Sequence, residues 1–103
     1  MPHKYHAKPT VVDDIRFASQ KEANRYRELR LLERGGAIVE LTLQPKYDLI
    51  VNGQKVGRYT PDFWYLEKGK PIVEEIKGFR VRDYTLRRNV FKALYPDIEH
   101  REI

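Results

Sequence analysis

The chain has 103 residues, which is enough for one domain with a single modest core. Of these residues 41% are apolar and 34% are charged, and no stretch approaches the ~18 consecutive apolar residues of a membrane helix, so no membrane contact is expected. The sequence contains no cysteine, which excludes disulfides and cysteine-bound zinc and suits a reducing, cytoplasmic compartment. Basic residues number 20 and acidic residues 15, and this formal charge of +5 is compatible with nucleic-acid binding without requiring it.

Residues 1–18 are predicted to form a flexible basic arm in front of a single domain, residues 19–103. The arm begins with a polar segment that lacks the apolar stretch of a signal peptide, and it continues as a short extended lead-in. Its two histidines, His3 and His6, could bind a metal, but solvated side chains in a tail are the favoured interpretation.

A helix is predicted over residues 19–34, because Ser19 and Glu22 form a capping box at its start and two glycines end it. In this motif the Ser19 hydroxyl accepts a hydrogen bond from the Glu22 amide, and the Glu22 carboxylate reaches back. Glu22 lies one turn before Tyr26, so it is not plainly on the solvent side. The apolar residues at helical spacing are Ala23, Tyr26, Leu29 and Leu32.

Alternating apolar and polar residues predict a series of strands after this helix. The strands cover residues 37–43, 47–51, 54–59, 62–66 and 72–77. The second and third flank Asn52-Gly53, a strong β-hairpin signal, and the last two flank a loop that contains Gly69 and Pro71.

A second helix is predicted over residues 84–94, before Pro96, and a short final strand over residues 98–103. The helix residues expected to face the core are Leu86, Val90, Ala93 and Leu94. The order of helix, strands, helix and strand favours an α+β or α/β fold with a mixed central sheet flanked by helices.

The stretch from residue 59 to residue 78 contains the candidate chemistry. Asp62 begins one predicted strand, and Glu75 and Lys77 lie on the next, where a period of two points both side chains to one face. Pairing of the two strands would bring Asp62 toward Glu75 and Lys77. Carboxylates gathered in this way are costly unless a cation binds them, and a divalent metal is the usual one.

This set of residues suits phosphodiester hydrolysis. Asp62 and Glu75 would hold Mg²⁺, with Mn²⁺ as the alternative ion. Lys77 would orient the attacking water or stabilise the negative charge that develops on the phosphate. Glu22 could add a third carboxylate from the first helix, and the backbone carbonyl of Ile76 could also face the metal.

Two segments, residues 59–63 (Tyr-Thr-Pro-Asp-Phe) and residues 73–78 (Val-Glu-Glu-Ile-Lys-Gly), resemble the signature of the PD-(D/E)XK nuclease superfamily. The resemblance covers residues 19–103 and includes that superfamily's core of helix, strands, helix and strand. The two segments are particularly similar to small phage endonucleases that resolve branched DNA, and archaeal-type Holliday-junction resolvases use the same constellation. Glu74 does not match a motif position, and the hairpin around Asn52-Gly53 is not part of the minimal core.

The resemblance implies that Asp62 and Glu75 are metal ligands, that Lys77 is the catalytic lysine and that Glu22 is the helix carboxylate. It also implies a structure-selective, Mg²⁺-dependent DNA endonuclease, expected to be a phage-type Holliday-junction resolvase that acts inside a host cell. Resolution of a four-way junction needs two symmetric cuts, so a homodimer with two-fold symmetry is expected for that substrate.

Basic residues follow the strand that carries Glu75 and Lys77, and their position favours contact with DNA phosphates. They are Arg80, Arg82, Arg87, Arg88 and Lys92. A solvated helix face that contacts no ligand is the alternative interpretation.

The acidic residues also have structural interpretations. Glu75 and Lys77 could be cross-strand charges on a solvated sheet face, Asp62 could be a turn residue, and Glu22 could be only a cap. The rival functions are a nuclease of the same chemistry acting on DNA ends, flaps or single strands, and a non-catalytic basic nucleic-acid-binding module. Metal-dependent cleavage separates an enzyme from a module, and junction preference with dimerisation separates the two nucleases.

Overall fold

The computed structural model describes residues 9–77 and 83–103. Neither helix in this described part of the chain is both long and apolar enough to cross a membrane. The elements, in chain order, are β1 (Thr10–Val12), β2 (Ile15–Phe17), α1 (Gln20–Arg34), β3 (Val39–Leu43), β4 (Tyr47–Val51), β5 (Gln54–Tyr59), β6 (Phe63–Glu67), β7 (Lys70–Glu75), α2 (Tyr84–Leu94) and β8 (Glu99–Glu102).

Four strands form the central sheet in the order β3, β6, β7, β8. Strand β6 runs antiparallel to both of its neighbours, β3 and β7, whereas β8 runs parallel to β7. A parallel neighbour needs a long crossover, and α2 lies in the connection between these two strands. The predicted α+β fold with a mixed sheet is therefore confirmed.

The two faces of the sheet carry two separate cores. Alternation along β6 and β7 places Phe63, Tyr65 and Ile72 in one core and Trp64 and Val73 in the other. Helix α1 covers the first face, and α2 together with the β4–β5 hairpin covers the second. The central sheet is thus flanked by helices, as predicted.

The apolar face of α2 differs from the prediction. Its buried residues are Tyr84 and Phe91, whereas Leu86 is 64% exposed. Tyr84 and Phe91 lie seven residues apart and therefore share a helix face, which turns Leu86 toward solvent. The partly buried apolar residues of this helix are Val90 and Leu94. The prediction for α1 holds for three of its four apolar residues, since only Leu32 is exposed.

The predicted flexible arm extends too far along the chain. Strands β1 and β2 form a hairpin whose turn residues Asp13 and Asp14 have positive φ. Phe17, at the end of β2, is 2% exposed, and its ring centroid lies 4.9 Å from that of Tyr26. Folded structure therefore begins by residue 10 rather than residue 19, because a large aromatic side chain anchors the hairpin on α1. The two predicted tail histidines lie outside the described residues.

The β4–β5 hairpin turns at Asn52 and Gly53, as predicted, and both residues have the positive φ that such tight turns require. The hairpin forms its own two-stranded sheet and packs on α2 instead of joining the central sheet. Tyr47 and Phe91 have ring centroids 4.9 Å apart, and the Tyr95 hydroxyl donates to the Asp48 carbonyl at 3.1 Å. Its second strand leads the chain directly back to the start of β6.

Candidate active site

The pairing of β6 with β7 brings two of the predicted acidic residues to one end of the sheet. Phe63 lies opposite Glu74, so Asp62 and Glu75 are the next residues on the two strands. The Asp62 amide donates to the Glu74 carbonyl at 2.9 Å, and the Ile76 amide donates to Asp62 Oδ2 at 2.7 Å. These bonds place Asp62 beside Glu75 and hold one of its carboxylate oxygens.

Glu22 approaches the same end of the sheet from the first turn of α1. Its amide donates to Ser19 Oγ at 3.1 Å, which is the first half of the predicted capping box. The backbone hydrogen bond of its carboxylate is with Ala18 instead of Ser19. Glu22 is only 7% exposed, and this burial, with a contribution from the charge of Asp62, raises the pKa of its carboxyl to about 7.

Glu75 is partly buried on the face of β7 that α2 covers. Burial raises the pKa of its carboxyl to about 7, and the charges of Asp62 and Glu22 add to this rise. The Tyr59 hydroxyl donates to Glu75 Oε1 at 2.9 Å, which opposes the rise. His100 Nε2 lies 2.8 Å from the same hydroxyl oxygen and forms a second hydrogen bond with it.

The three carboxylates form one electrostatic group. Burial also raises the pKa of Asp62, although the hydrogen bond from the Ile76 amide opposes this. Within the described residues, none of Glu22, Asp62 and Glu75 forms an ion pair. Buried carboxylates without a cation are unfavourable in their charged form, so this group favours the binding of protons or of a positive ion.

The donor chemistry of Asp62 and Glu75 fits a hard divalent cation. Oδ1 of Asp62 and Oε2 of Glu75 have no hydrogen-bond partner in the described part of the chain. In residues 9–77 and 83–103, however, no three His, Cys, Asp or Glu side chains are grouped closely enough to hold a metal. Mg²⁺ often takes one or two carboxylates and fills its other positions with water and substrate phosphate. The arrangement therefore suits a site in which Asp62 and Glu75 are the carboxylate ligands, and Glu22 as a third ligand stays a prediction.

Lys77 follows β7, and its side chain is exposed. Its amide donates to the Ile103 carbonyl at 2.8 Å, and its carbonyl accepts from Lys21 Nζ at 2.7 Å. The Ile103 amide donates in turn to the Glu75 carbonyl at 3.0 Å. The backbone around Lys77 is therefore held by α1 and by the residue after β8, and the carbonyl of Ile76 within it stays a predicted ligand.

Of the cations predicted to contact DNA, Arg80 and Arg82 lie outside the described residues. Arg87 and Lys92 are exposed on α2. Neither forms an ion pair or a side-chain hydrogen bond with another described residue. Both are therefore available to an external anion.

Arg88 is placed differently from its neighbours on α2. Its Nη1 lies 3.3 Å from Glu102 Oε2, and its guanidinium lies 5.6 Å from the centroid of the Tyr84 ring. The Tyr84 hydroxyl donates to the same Glu102 oxygen at 2.6 Å. Arg88 therefore helps to hold α2 against β8, whatever further contacts it makes.

A groove with a volume of about 320 Å³ opens beside Glu75. Its lining residues are Arg58, Tyr59, Thr60, Glu75, Tyr84 and Arg87. Sequence reasoning named Glu75 and Arg87 and missed the others. They come from β5, the segment after it and α2, so only the packing of the hairpin against α2 brings them together. For Arg58 and Tyr59 the only sequence signal was the period of two along β5, which indicates a strand but not what Tyr59 contacts.

Sequence reasoning also left out a second acidic residue of β7 that the structure buries completely. Glu74 is 0% exposed and forms a two-pronged contact with Arg25, from Nε to Oε1 at 2.9 Å and from Nη2 to Oε2 at 2.7 Å. The Tyr65 hydroxyl donates to Glu74 Oε2 at 2.5 Å. This residue therefore joins α1 to the sheet and has its charge compensated.

Comparison with known proteins gives a family but no function. A search of the curated proteins finds no match to this chain. The family model described as "Protein of unknown function (DUF1064)" matches residues 2–103. The match includes every predicted site residue and all described strands and helices, so the chain belongs to the DUF1064 family.

Proposed function

We propose that this chain is a Mg²⁺-dependent, structure-selective DNA endonuclease of the PD-(D/E)XK type, acting as a Holliday-junction resolvase. The observation that carries the proposal is the convergence of Glu22, Asp62 and Glu75 from three separate elements at one end of the sheet. Burial and mutual repulsion raise the pKa of both glutamates to about 7. Strongly perturbed carboxyls beside a groove are typical of sites that bind a ligand or perform chemistry.

The order of elements supports the same proposal. Helix α1, the antiparallel strands β3, β6 and β7, helix α2 and the parallel strand β8 follow the sequence of helix, strands, helix and strand that the resemblance implies. The positions of Asp62 before β6 and of Glu75 at the end of β7 are compatible with the motif positions that the resemblance implies. The β4–β5 hairpin is an insertion into this order.

The proposed metal would be held by Asp62 and Glu75, and Mn²⁺ is the alternative ion. When bound, Mg²⁺ would supply Lewis-acid polarisation of the phosphate and a water of lowered pKa. Asp62 is held for this role by the Ile76 amide, and Glu75 by the Tyr59 hydroxyl. Each of these bonds engages one oxygen of its carboxylate and leaves the other to face a cation.

Lys77 would stabilise the negative charge that develops on the phosphate, because its exposed ammonium follows Glu75 by two residues. Its backbone is held at both the amide and the carbonyl, so the side chain starts from a fixed position. Glu22 would act from outside the two-ligand group, by adding negative charge close to Asp62. The proposed enzyme thus uses Asp62 and Glu75 for binding, and Lys77 and Glu22 for electrostatics.

The direct test is incubation of the purified chain with a synthetic four-way junction, a duplex and a single strand, each with Mg²⁺, Mn²⁺ or EDTA. The junction should be cleaved with a divalent ion and left intact in EDTA. Asp62→Asn should reduce the rate by ~10²-fold or more, the scale of removing one transition-state stabiliser. Asp97→Asn, which changes an exposed acidic residue in the turn before β8, is the matched control.

Two results would count against the proposal. If the Asp62→Asn variant cuts as fast as the parent, the assignment of Asp62 to the active site is wrong. Cleavage confined to ends, flaps or single strands would leave the nuclease chemistry but remove the junction specificity.

The assembly state is a separate part of the proposal. A junction resolvase needs two symmetric cuts, and one chain carries one candidate site, so the active species should be a two-fold homodimer. Sedimentation at micromolar concentration should give the dimer mass, and the two opposing strands of a junction should be nicked symmetrically. A stable monomer with full junction activity would contradict the resolvase assignment.

A further inference from the structure

The groove beside Glu75 combines a carboxylate with two arginines from different parts of the fold. Arg58 comes from β5 of the hairpin and Arg87 from the second turn of α2. Its volume of about 320 Å³ lies at the lower end of the ~300–1,000 Å³ that small-ligand sites occupy. The space is therefore suited to one narrow, extended group and not to a folded partner.

The two arginines of the groove favour an anionic ligand, and Glu75 requires that a cation lie beside this ligand. Arg87 has no ion pair or side-chain hydrogen bond with another described residue. Arg58 Nε lies 3.2 Å from Asp48 Oδ1, but both side chains are 49% exposed, and an exposed pair of this kind is weak. A phosphate could therefore replace Asp48 as the partner of Arg58 at little cost. Glu75 in the same wall would repel an anion unless a cation lay between them.

We propose that this groove binds the sugar–phosphate backbone of a single DNA strand, with Arg58 and Arg87 contacting phosphates next to the one that a metal ion at Asp62 and Glu75 would bind. This inference rests on the proposed nuclease function, and it extends the DNA contacts to an element outside the minimal core. Arg87 was expected from the sequence to contact DNA, whereas Arg58 and the hairpin were not. Guanidinium groups suit this task because their planar donors match phosphate oxygens.

The inference gives the β4–β5 hairpin a role as a DNA-binding arm. The hairpin is held on α2 by the contact of Tyr47 with Phe91 and by the bond from Tyr95 to the Asp48 carbonyl. Arg58 therefore projects from a strand that is anchored to the same helix as Arg87. The backbones that carry the two arginines are therefore fixed relative to each other before binding, so binding does not have to order the hairpin.

The test measures DNA binding without cleavage, by fluorescence anisotropy of labelled single-stranded and four-way-junction DNA in EDTA and in Ca²⁺ over a range of salt concentrations. Arg58→Gln and Arg87→Gln should each weaken binding several-fold and reduce the salt slope by ~0.7 to 0.9, which is the loss of one phosphate contact. Arg58→Lys should keep most of the slope, because it retains the charge. Arg34→Gln removes an exposed arginine at the far end of α1 and should leave both quantities unchanged.

The outcomes separate this inference from the proposed function. If the parent cleaves DNA with Mg²⁺ but Arg58→Gln binds with an unchanged salt slope, the groove assignment is wrong and the nuclease stands. If both arginine variants lose slope but the parent never cleaves, the groove is a DNA site and the nuclease proposal fails. If the parent binds no DNA in either EDTA or Ca²⁺, the groove is not a DNA site. Melting temperatures equal to that of the parent exclude misfolding as the cause of weaker binding.

Discussion

Glu74 and Glu75 are neighbours on β7, yet the protein treats their charges in opposite ways. Glu74 faces α1, is 0% exposed, and receives both a guanidinium from Arg25 and a hydroxyl from Tyr65. Glu75 faces α2 and receives only the hydroxyl of Tyr59 from the described residues. One carboxylate is compensated within the fold, and the other is left with a pKa raised to about 7.

This difference separates a structural carboxylate from a candidate ligand-binding one. A buried charge that serves only the fold must be paired, because an unpaired one is strongly destabilising. Glu75 lies beside a groove and has one carboxylate oxygen with no hydrogen-bond partner among residues 9–77 and 83–103, so a cation from solution could complete its environment. Burial by itself would not have distinguished the two residues, whereas the nature of their partners does.

The largest expected effect is a loss of stability when Glu74, the structural carboxylate, loses its cation. Arg25→Ala should lower the free energy of unfolding by ~3–5 kcal/mol, because Glu74 would stay buried without its cation. Urea denaturation measures this change. Arg27→Ala is the control, since Arg27 lies on the same helix and, among the residues that the structure describes, bonds only to exposed Asn24. A loss no larger than in the control would mean that Glu74 needs no cation and that the contrast with Glu75 is false.

The next effect concerns Glu75. Glu75→Gln keeps an oxygen that can accept from Tyr59 but removes the charge, so cleavage of a four-way junction should fall by ~10²-fold or more. The stability of the metal-free variant should be equal to or greater than that of the parent at pH 8, because a repelled buried charge is gone. Cleavage assays and thermal melts test the two parts. A Glu75→Gln variant that melts as early as Arg25→Ala would make Glu75 a structural residue.

A smaller effect is expected at Glu22, where a cap and an electrostatic role compete for one side chain. Glu22→Gln keeps a hydrogen-bond acceptor at the start of α1 and resembles the protonated acid, so metal-free stability at pH 4.5 should stay within ~0.5 kcal/mol of the parent. Junction cleavage should fall at least tenfold, which corresponds to ~1.4 kcal/mol of barrier. If Glu22→Gln cleaves normally while Glu22→Ala melts early, Glu22 is only a cap and the site consists of Asp62, Glu75 and Lys77.

A further expectation concerns the pH dependence of stability without metal, which depends on both Glu22 and Glu75. The pKa of Glu22 and that of Glu75 are raised to about 7 in the folded protein from an unfolded value of 4.5, so the folded state binds more protons between these values. Stability should therefore fall as pH rises through this window, with a slope of up to ~1.4 kcal/mol per pH unit for each group. Chemical denaturation from pH 4.5 to pH 8 should show this fall, and it should be shallower in Glu22→Gln. If the stability of the parent rose with pH through the whole window, the raised pKa values of Glu22 and Glu75 would be contradicted.

The acidic residues were predictable because their arrangement is local. Asp62 and Glu75 belong to two strands joined by a short turn, so a period of two and one hairpin place them together. The mixed sheet was predictable from the order of helices and strands, each of which local sequence patterns indicate. Contacts between distant segments were not predictable in this way. Arg25 and Glu74 are 49 residues apart, and Tyr59 and His100 are 41 apart, and no local pattern relates either pair.

The errors in the helices and the arm have one physical cause. The core beneath α2 is filled by rings, since the centroids of Tyr47 and Tyr59 lie 4.9 and 5.1 Å from that of Phe91. Aliphatic periodicity favoured Leu86, but large aromatic side chains decide which face of the helix is buried. Phe17 likewise draws β2 onto α1, although the short segment around it shows no periodicity.

The parallel pairing of β8 with β7 has a consequence for the order in which the protein forms during synthesis. The segment from Glu75 to Lys77 is held by bonds to Ile103, which leaves the ribosome last among the residues concerned. Translation adds ~5–20 residues per second, so the crossover and β8 emerge seconds after β7. Pairing between strands so far apart in sequence is also slow to form. The nascent chain therefore lacks these backbone bonds beside Glu75 until its synthesis has passed residue 103.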